Sequence, residues 1–190
     1  TLFFTMVPKI AALTVFIRFL YVPFLNLIDQ WQIILIFMSI ASMLFGAIAA
    51  IGQKNLKRLI AYSSISHIGY ALAGLATGSN YGIQSSVIYM TIYIIMNLGF
   101  FSCLLMMKRN NIYYEQIDDL SGLSKNHPLL SLSLLIILFS LAGIPPLAGF
   151  FAKFYIFKSV IEQSMYFLAI VGLLSTVVAA YYYLRIIKIM

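Results

Sequence analysis

Long apolar runs alternate with short polar connections along the whole chain. Each run is long enough to cross a bilayer, which takes about 20 mostly apolar residues, and Gly, Asn and Ser clusters separate the runs. The pattern predicts about six transmembrane helices, at Leu2–Leu25, Trp31–Gly52, Leu59–Thr77, Gly82–Met107, Pro128–Lys158 and Met165–Ile187. The predicted fold class is therefore all-α: a polytopic transmembrane helix bundle that forms a single membrane domain over residues 1–190.

The fifth predicted helix contains a break. Pro145 and Pro146 follow Gly143 and precede Gly149 in an otherwise apolar run. Proline has no N–H and its ring clashes with the preceding turn, so carbonyl groups in the middle of the span lose their partners. In lipid, such groups must be satisfied by protein or water. The sequence therefore predicts a helix that is broken in mid-membrane, with polar groups at the break.

Lys153 follows this break, and no Asp, Glu, Lys or Arg occurs from Asn126 to Ala152. An ionisable residue in the bilayer centre costs at least about 2.5 kcal/mol, so such residues are usually functional. A charge beside a broken helix is typical of transporter ion sites near the midplane. The alternative is that Lys153 extends its alkyl chain to the membrane surface, although Lys158 lies nearer the helix end and suits that role better.

Lys9 is a second cation inside an apolar run, and Arg18 lies at the outgoing end of the same predicted helix. At 1.5 Å per residue, Lys9 lies about 13 Å farther in than Arg18. Lys9 either reaches the surface through its alkyl chain or is a buried amino group that exchanges protons. No Asp or Glu lies in any predicted helix, so neither lysine has a carboxylate partner there.

His67 lies near the middle of the third predicted helix, flanked by Ser63, Ser64, Ser66 and Tyr70. Imidazole donates or accepts hydrogen bonds at both nitrogens and exchanges a proton near physiological pH. The flanking hydroxyls could hold the water that a proton relay requires. A lone histidine is as readily a packing residue, and both interpretations stay open.

The basic residues are sorted between the two sides of the predicted bundle. The loops after the second, fourth and sixth helices contain Lys54, Lys57, Arg58, Lys108, Arg109, Lys125, Arg185 and Lys188. The opposite side contains only Arg18 and Lys158. By the positive-inside rule, the first side is predicted to face the cytoplasm, or the matrix of a mitochondrion.

Two further patterns concern packing and the membrane surface. Small residues recur at helical spacing and favour close helix approach in lipid; they are Ser39, Ser42, Gly46 and Ala50 on one helix and Gly69, Ala73 and Ala76 on the next. Tyr181, Tyr182 and Tyr183, beside Arg185, are more typical of an aromatic belt at the membrane surface than of a quinone site.

The composition supports an integral membrane protein: 63% of the residues are hydrophobic and only 9% are charged, against about 25% charged residues in soluble domains. The single cysteine, Cys103, excludes an internal disulfide framework and makes a metal site improbable. The net charge of +7 lies at segment ends, which argues against nucleic-acid binding. The start at Thr1 has no signal-peptide features, and we expect a piece of a longer protein.

Four stretches carry a specific resemblance to a known family. They are QKNLKRLIAYSSISHIGYALAGLATG, MNLGFFSCLLMMKR, DDLSGLSKNHPLL and FSLAGIPPLAGFFAKFYIF. In this order they closely resemble the antiporter-like membrane subunits of respiratory complex I, and within that family they look most like subunit N, or subunit 2 in mitochondria. The resemblance extends from VPKIAA to the final YYYLRIIKIM.

The resemblance implies a protein of about fourteen helices with two inverted five-helix repeats, each containing one broken helix. Residues 1–25 then correspond to the last helix of the first repeat, and residues 31–187 to the second repeat. The family's broken-helix lysine matches Lys153 and its central-axis lysine matches Lys9. His67 matches the histidine of the family's SxSHxGY stretch and would lie on a hydrated axis between them. The first repeat's lysine and its glutamate partner would lie upstream.

The activity implied by the resemblance is proton translocation by a subunit of an NADH:quinone oxidoreductase. NADH, FMN, iron–sulfur clusters and quinone are expected in partner subunits, with no cofactor, redox centre or metal in this chain. The expected partners are other complex I membrane subunits, especially antiporter-like ones, together with protons and the lipid of a bacterial plasma membrane or mitochondrial inner membrane. The alternatives are a subunit of a multi-subunit sodium/proton antiporter or membrane-bound hydrogenase, and a non-pumping structural membrane subunit.

Overall fold

The computed structural model describes residues 2–109, 112–113 and 115–190. Within these ranges the chain forms eight α-helices: α1 Leu2–Tyr21, α2 Ile28–Ile51, α3 Leu56–Ala76, α4 Asn80–Met106, α5 Leu123–Asn126, α6 Pro128–Ala142, α7 Ala148–Glu162 and α8 Tyr166–Ile189. Short 3₁₀ turns span Leu25–Leu27 and Asp118–Leu120, and the two-residue strands Lys108–Arg109 and Ile112–Tyr113 form an antiparallel pair. The predicted all-α bundle is confirmed.

Four of the described helical segments are long and apolar enough to cross a membrane alone: Leu25–Ile51, Leu56–Ala76, Asn80–Met106 and Tyr166–Ile189. Helices α6 and α7 have 15 residues each, which gives each a length of only about 22 Å against a hydrocarbon core of about 30 Å. The two half-helices correspond to the predicted fifth helix, so its predicted break is confirmed.

Several helix ends differ from the predicted ones by a few residues. Helix α3 begins at Leu56 instead of Leu59, because the side chain of Asn55 accepts hydrogen bonds from the N–H groups of Lys57 and Arg58. Such a cap satisfies backbone donors that the helix itself leaves free. Helix α2 likewise begins at Ile28, three residues before the predicted start. Hydropathy marks the apolar part of a helix, whereas caps determine where it begins.

Helices α2 and α3 approach each other very closely, as their small residues predict. A Cβ on Gly46 would lie 2.6 Å from the backbone nitrogen of Ser66, and a Cβ on Gly69 would lie 2.9 Å from that of Met43. The same approach lets Ser39 donate to the Gly69 carbonyl at 2.8 Å and Ser66 donate to the Met43 carbonyl at 2.9 Å. Side-chain hydroxyls therefore join two helices whose backbones nearly touch.

One end of the bundle, which we call the basic face, gathers the connections with most of the positive charge. The segment 115–120 pairs there with the start of α3, because Leu56 donates to the Glu115 carbonyl at 2.7 Å and Ile117 donates to the Lys54 carbonyl at 2.9 Å. Ile117 and Leu120 are each 1% exposed. The segment therefore seals this end of the apolar core.

The opposite end joins α1, α2 and the end of α3. The Tyr21 hydroxyl donates to the Leu75 carbonyl at 2.7 Å, and the Gln32 amide donates to the Ala76 carbonyl at 2.9 Å. Thr77–Ser79 then turns the chain directly from α3 into α4, where the Ser79 side chain accepts from Gly82 at 3.0 Å. These two helices therefore form a tight antiparallel hairpin.

Candidate functional site

The two half-helices α6 and α7 are locked together at the break. Gly143 adopts a left-handed conformation, with φ of 88°, and ends α6. The backbone N–H of Gly149 donates to the Ser140 hydroxyl at 3.0 Å, and a Cβ on Gly149 would overlap the Ser140 carbonyl. Glycine at this position therefore allows the start of α7 to lie directly against the end of α6.

Lys153 lies in the interior beside this break and is only 6% exposed. Its Nζ donates to the carbonyl of Ala142 at 2.9 Å and approaches that of Leu141 at 3.2 Å. These carbonyls belong to the last turn of α6, where the helix supplies no partner and its dipole favours a cation. The surface-seeking interpretation is wrong for Lys153, whereas Lys158 is half exposed and lies 3.9 Å from Glu162.

His67 lies in the interior at the centre of a hydrogen-bonded group of side chains. It is 2% exposed. Its Nδ1 lies 2.6 Å from the hydroxyl of Tyr89, and its Nε2 lies 3.2 Å from the hydroxyl of Tyr183. The Tyr183 hydroxyl also forms a hydrogen bond with the hydroxyl of Ser63. Side chains from α3, α4 and α8 thus form one continuous polar chain through the core.

Lys153 and Lys9 flank His67, each across a tyrosine ring. The Lys153 Nζ lies 5.3 Å from the centroid of the Tyr70 ring, which contacts the imidazole edge-on at 6.1 Å. The Lys9 Nζ lies 5.9 Å from the centroid of the Tyr93 ring, which stacks on the imidazole at 4.5 Å. Such ring faces attract cations. The buried His67 thus lies between the buried Lys153 and the partly exposed Lys9.

In the part of the chain that the structure describes, neither Lys9 nor Lys153 forms an ion pair with a carboxylate. The recorded ion pairs are Lys57 with Glu115 and Lys158 with Glu162, both at the ends of helices. The ligands of Lys153 are neutral carbonyls, so its charge has no direct counter-charge there. A proton gained or lost at this amino group changes the charge of the interior.

The serines beside His67 form hydrogen bonds with different parts of the bundle. Ser64 donates to the Ala61 carbonyl at 2.7 Å, and Ser66 is used in the contact with α2. Ser63 alone among these three joins the chain of side chains at His67. Tyr70, also predicted to flank the histidine, contacts the imidazole with its ring and forms a hydrogen bond with Ser175 at 2.7 Å.

Sequence reasoning missed three of the tyrosines that surround His67, namely Tyr89, Tyr93 and Tyr183. The aromatic-belt interpretation is wrong for Tyr182 and Tyr183, which are both fully buried, and fits only Tyr181, which is 60% exposed. Tyr89 and Tyr93 were not predicted at all, although their i, i+4 spacing on α4 puts both on one helix face. Two tyrosines on one face of an apolar helix are the signal that could have identified them.

Metal-binding groups are sparse among the described residues. No group of three or more His, Cys, Asp and Glu side chains there is arranged to hold a metal ion. Cys103 is a buried free thiol. The nitrogen atoms of His67 and the two lysines can form hydrogen bonds and exchange protons.

The fold is that of an antiporter-like membrane subunit. Residues 1–179 match the family described as NADH:quinone oxidoreductase/Mrp antiporter, transmembrane, and the chain belongs to this family. It is 84% identical over 189 residues to NADH-quinone oxidoreductase subunit N of Pelagibacter ubique, covering 100% of this chain and 40% of that protein. The chain therefore spans less than half the length of that relative.

Solved structures agree with the sequence relationship. A chain in the Mrp complex from Dietzia sp. matches with a TM-score of 0.86 at 25% identity, covering 94% of this chain and 33% of that one. A chain in respiratory complex I from Thermus thermophilus with bound NADH matches with a TM-score of 0.76 at 28% identity, covering 85% and 34%. The predicted resemblance to subunit N and the assignment as an integral membrane protein are confirmed.

Proposed function

We propose that this protein acts as a proton-translocating membrane subunit of an NADH:quinone oxidoreductase, with Lys9, His67 and Lys153 as the groups that carry protons. The observation that carries the proposal is the buried Lys153 amino group held by the Ala142 and Leu141 carbonyls at a helix break. The 84% identity to a subunit N supports the choice of complex.

The physical argument begins with the cost of a buried amino group. A charged lysine in the bilayer centre is unfavourable by at least about 2.5 kcal/mol, and burial favours its neutral form over its charged form. The carbonyls of Leu141 and Ala142 offset part of this cost without fixing the charge, because they are neutral acceptors. Lys153 is thus suited to exchange a proton instead of holding a permanent ion pair.

His67 supplies the next group along the path. Its imidazole lies between the Tyr70 and Tyr93 rings, which are the rings faced by Lys153 and Lys9. Imidazole can accept a proton at one nitrogen and release one at the other. Water molecules would complete the steps between the amino groups and the imidazole.

The energy for translocation has to come from outside this chain. Moving one charge against 100 mV requires about 2.3 kcal/mol. From the similarity to a subunit N, we propose that NADH, FMN, iron–sulfur clusters and quinone are bound by partner subunits. Neighbouring antiporter-like subunits are the proposed contacts, and residues 31–187 are the proposed second inverted repeat, after residues 1–25 of the first.

The test is Lys153→Ala in the full-length protein within its assembled complex. We expect normal insertion, since the change removes an expensive charge without removing a packing element, and a loss of coupled activity. The measurements are NADH:quinone reductase activity and acidification of inverted membrane vesicles. Wild-type values of both would overturn the proposal and favour a purely structural subunit.

A second candidate is a subunit of an Mrp-type sodium/proton antiporter. It is favoured by the TM-score of 0.86 to a chain of the Dietzia complex, although the identity there is only 25%. Purification of the native complex separates the two functions. Co-purification of NADH:quinone reductase activity supports the oxidoreductase, whereas sodium-dependent proton exchange without that activity supports the antiporter.

A further inference from the structure

We propose that Ser140 is a positioning residue, whose hydroxyl fixes the start of α7 and thereby holds the Lys153 amino group against the carbonyls of α6. This inference rests on the proposed function, because it concerns how the proton-carrying lysine is held. Its basis is the hydrogen bond of 3.0 Å from the Gly149 N–H to the Ser140 hydroxyl, which joins the two half-helices across the break.

The Ser140 hydroxyl takes the place of a cap that α7 lacks. The first N–H groups of a helix have no partner within it, and one of them usually bonds to the side chain of the residue just before the helix. That residue is Leu147, which is apolar and forms no side-chain cap. The N–H of Gly149, the second residue of α7, donates to the other half-helix instead. The cap of α7 is therefore provided by α6.

The lysine and this cap connect the same two turns of helix. Lys153 lies one helical turn after Gly149, on the same face of α7. Its amino group donates to the carbonyls of Leu141 and Ala142, which directly follow Ser140 on α6. The last turn of α6 thus accepts hydrogen bonds both from the backbone of α7 at Gly149 and from the side chain of Lys153. A displacement of the backbone at Gly149 therefore changes the distances at the amino group.

The Lys153 side chain has little room to compensate for such a displacement. A Cβ on Gly143 would lie 3.0 Å from the Lys153 Cδ and 3.2 Å from its Nζ, so the alkyl chain already passes close to the end of α6. Ser140 and Lys153 are each 6% exposed, and Leu141 is 1% exposed. Because these groups are buried, water replaces a lost contact poorly.

The placement of the amino group affects proton exchange as well as packing. Hydrogen bonds from a charged donor are roughly twice as strong as those from a neutral donor. The distances from the Lys153 Nζ to its two carbonyl acceptors therefore influence how readily this group gains and releases a proton. A residue that only supported the fold would alter the amount of complex, but would leave this property unchanged.

The first experiment removes the hydroxyl in the full-length protein within its assembled complex. Ser140→Ala is expected to assemble and to lower the rate of proton pumping in inverted vesicles roughly three- to tenfold, since a misplacement of about 1 Å can cost up to about 100-fold. Ser133→Ala is the matched control, because the exposed Ser133 lies on the same helix and donates to the Leu129 carbonyl at 2.9 Å. This control is expected to pump normally. Wild-type pumping by Ser140→Ala would overturn the inference.

Ser140→Cys separates hydrogen bonding from packing, and it decides the matter if Ser140→Ala assembles poorly. The thiol fills the space of the hydroxyl, but its sulfur is only a weak acceptor. We expect Ser140→Cys to assemble and to pump as slowly as Ser140→Ala. Normal pumping by Ser140→Cys would show that the side chain only fills space, which contradicts a positioning role.

The pH dependence of pumping is a readout that a purely structural role would not change. The rates of Ser140→Ala and the wild type are compared over a series of pH values, each divided by the amount of assembled complex. We expect the pH of half-maximal pumping to shift by about one unit, as the partial loss of a hydrogen bond to a charged group would produce. A uniformly lower rate with an unshifted profile would rule out positioning of Lys153 by Ser140.

Lys153→Ala, measured in the same vesicles, separates this inference from the proposed function. If Lys153→Ala stops pumping while Ser140→Ala matches the wild type in rate and pH profile, only this inference fails. If Lys153→Ala itself pumps normally, the proposed function fails, and the positioning role of Ser140 fails with it.

Discussion

Lys153 and Lys9 approach His67 from two sides, but the bundle holds them in different ways. Lys153 is nearly fully buried, and its amino group is held by two backbone carbonyls at the end of α6. Lys9 lies within the unbroken helix α1, is partly exposed, and faces the Tyr93 ring. One lysine is held by the backbone, the other by a side chain.

This difference between the two lysines shows that the helix break supplies hydrogen-bond acceptors for Lys153. An intact helix uses its mid-span carbonyls internally, so it offers few acceptors to an amino group. Ending α6 at Gly143 releases the carbonyls of the last turn within the membrane. The break therefore provides the carbonyl groups that bind the Lys153 amino group. Substitutions at the break should reduce proton pumping more than substitutions around Lys9.

The largest effect is expected from Gly149→Ala, because this substitution disrupts the contact between the two half-helices at the break. The added methyl group would overlap the Ser140 carbonyl, and backbone overlap of this kind destabilises by about 1–3 kcal/mol or more. We expect little assembled complex, measured on native gels. Gly52→Ala is the control, since a Cβ at Gly52 meets open space. Normal assembly of Gly149→Ala would show that the half-helices are not locked.

Lys153→Arg is expected to have the next largest effect. Guanidinium keeps its proton under all physiological conditions, so the positive charge remains but proton exchange stops. We expect vesicle acidification to fall roughly tenfold or more, as for loss of a proton-transfer group, with assembly retained. If Lys153→Arg pumps normally, the residue is only a fixed charge at the break.

Lys9→Ala should cause a smaller loss of pumping than Lys153→Arg. Lys9 is partly exposed, so water can replace some of its function, and a loss of about threefold corresponds to only ~0.7 kcal/mol. The same vesicle assay measures it, with Arg18→Ala as a control on the exposed end of α1. A loss equal to that of Lys153→Arg would contradict the distinction between the two sites.

The smallest effect is expected at a third lysine, Lys57, whose partner is a carboxylate in contact with water. Its hydrogen bond lowers the pKa of Glu115 below the ordinary value. A carboxyl with a lowered folded-state pKa adds stability above its unfolded pKa of about 4.3, and this contribution disappears as pH falls through the folded-state value. The segment 115–120 should therefore loosen in acid.

Hydrogen exchange at Ile117 and Leu120 measures this loosening. At pH 7, Glu115→Gln should exchange faster than the wild type, by an amount that corresponds to the loss of a surface ion pair of about 0.2–1 kcal/mol. Its exchange rate should also change less than that of the wild type when the pH is lowered. Glu162→Gln, which alters the long contact with Lys158, is the control. Identical exchange in the wild type and Glu115→Gln would show that backbone pairing alone holds the segment.

The helix break and its lysine could be predicted from the sequence because their causes are local. Pro145, Pro146 and Gly143 act on their own turns of the helix, and Lys153 follows within two turns. Hydropathy located the long apolar helices α2, α3, α4 and α8 for the same reason. Helix ends were less accurate, since Asn55 begins α3 through a side-chain cap that hydropathy does not detect.

The surroundings of His67 could not be predicted in the same way. Its two hydrogen-bond partners come from α4 and α8, and Tyr183 lies 116 residues away in sequence. Periodicity shows that Tyr181, Tyr182 and Tyr183 share a helix, but not which of them faces the core. That choice depends on how α8 packs against α3, which is a property of the assembled bundle.

Because the hydrogen-bond partners of Lys153 are neutral, the protonated fraction of its amino group is sensitive to the electric field across the membrane. A carboxylate partner would leave a compact ion pair whose net charge is zero, whereas Ala142 and Leu141 contribute only carbonyl dipoles. Each protonation of Lys153 places one positive charge inside the membrane field. Moving a charge across the whole membrane costs about 2.3 kcal/mol per 100 mV, and reaching Lys153 costs a fraction of that energy. A potassium ionophore removes the membrane voltage while the pH difference stays constant. This treatment should therefore change the protonated fraction of the Lys153 amino group.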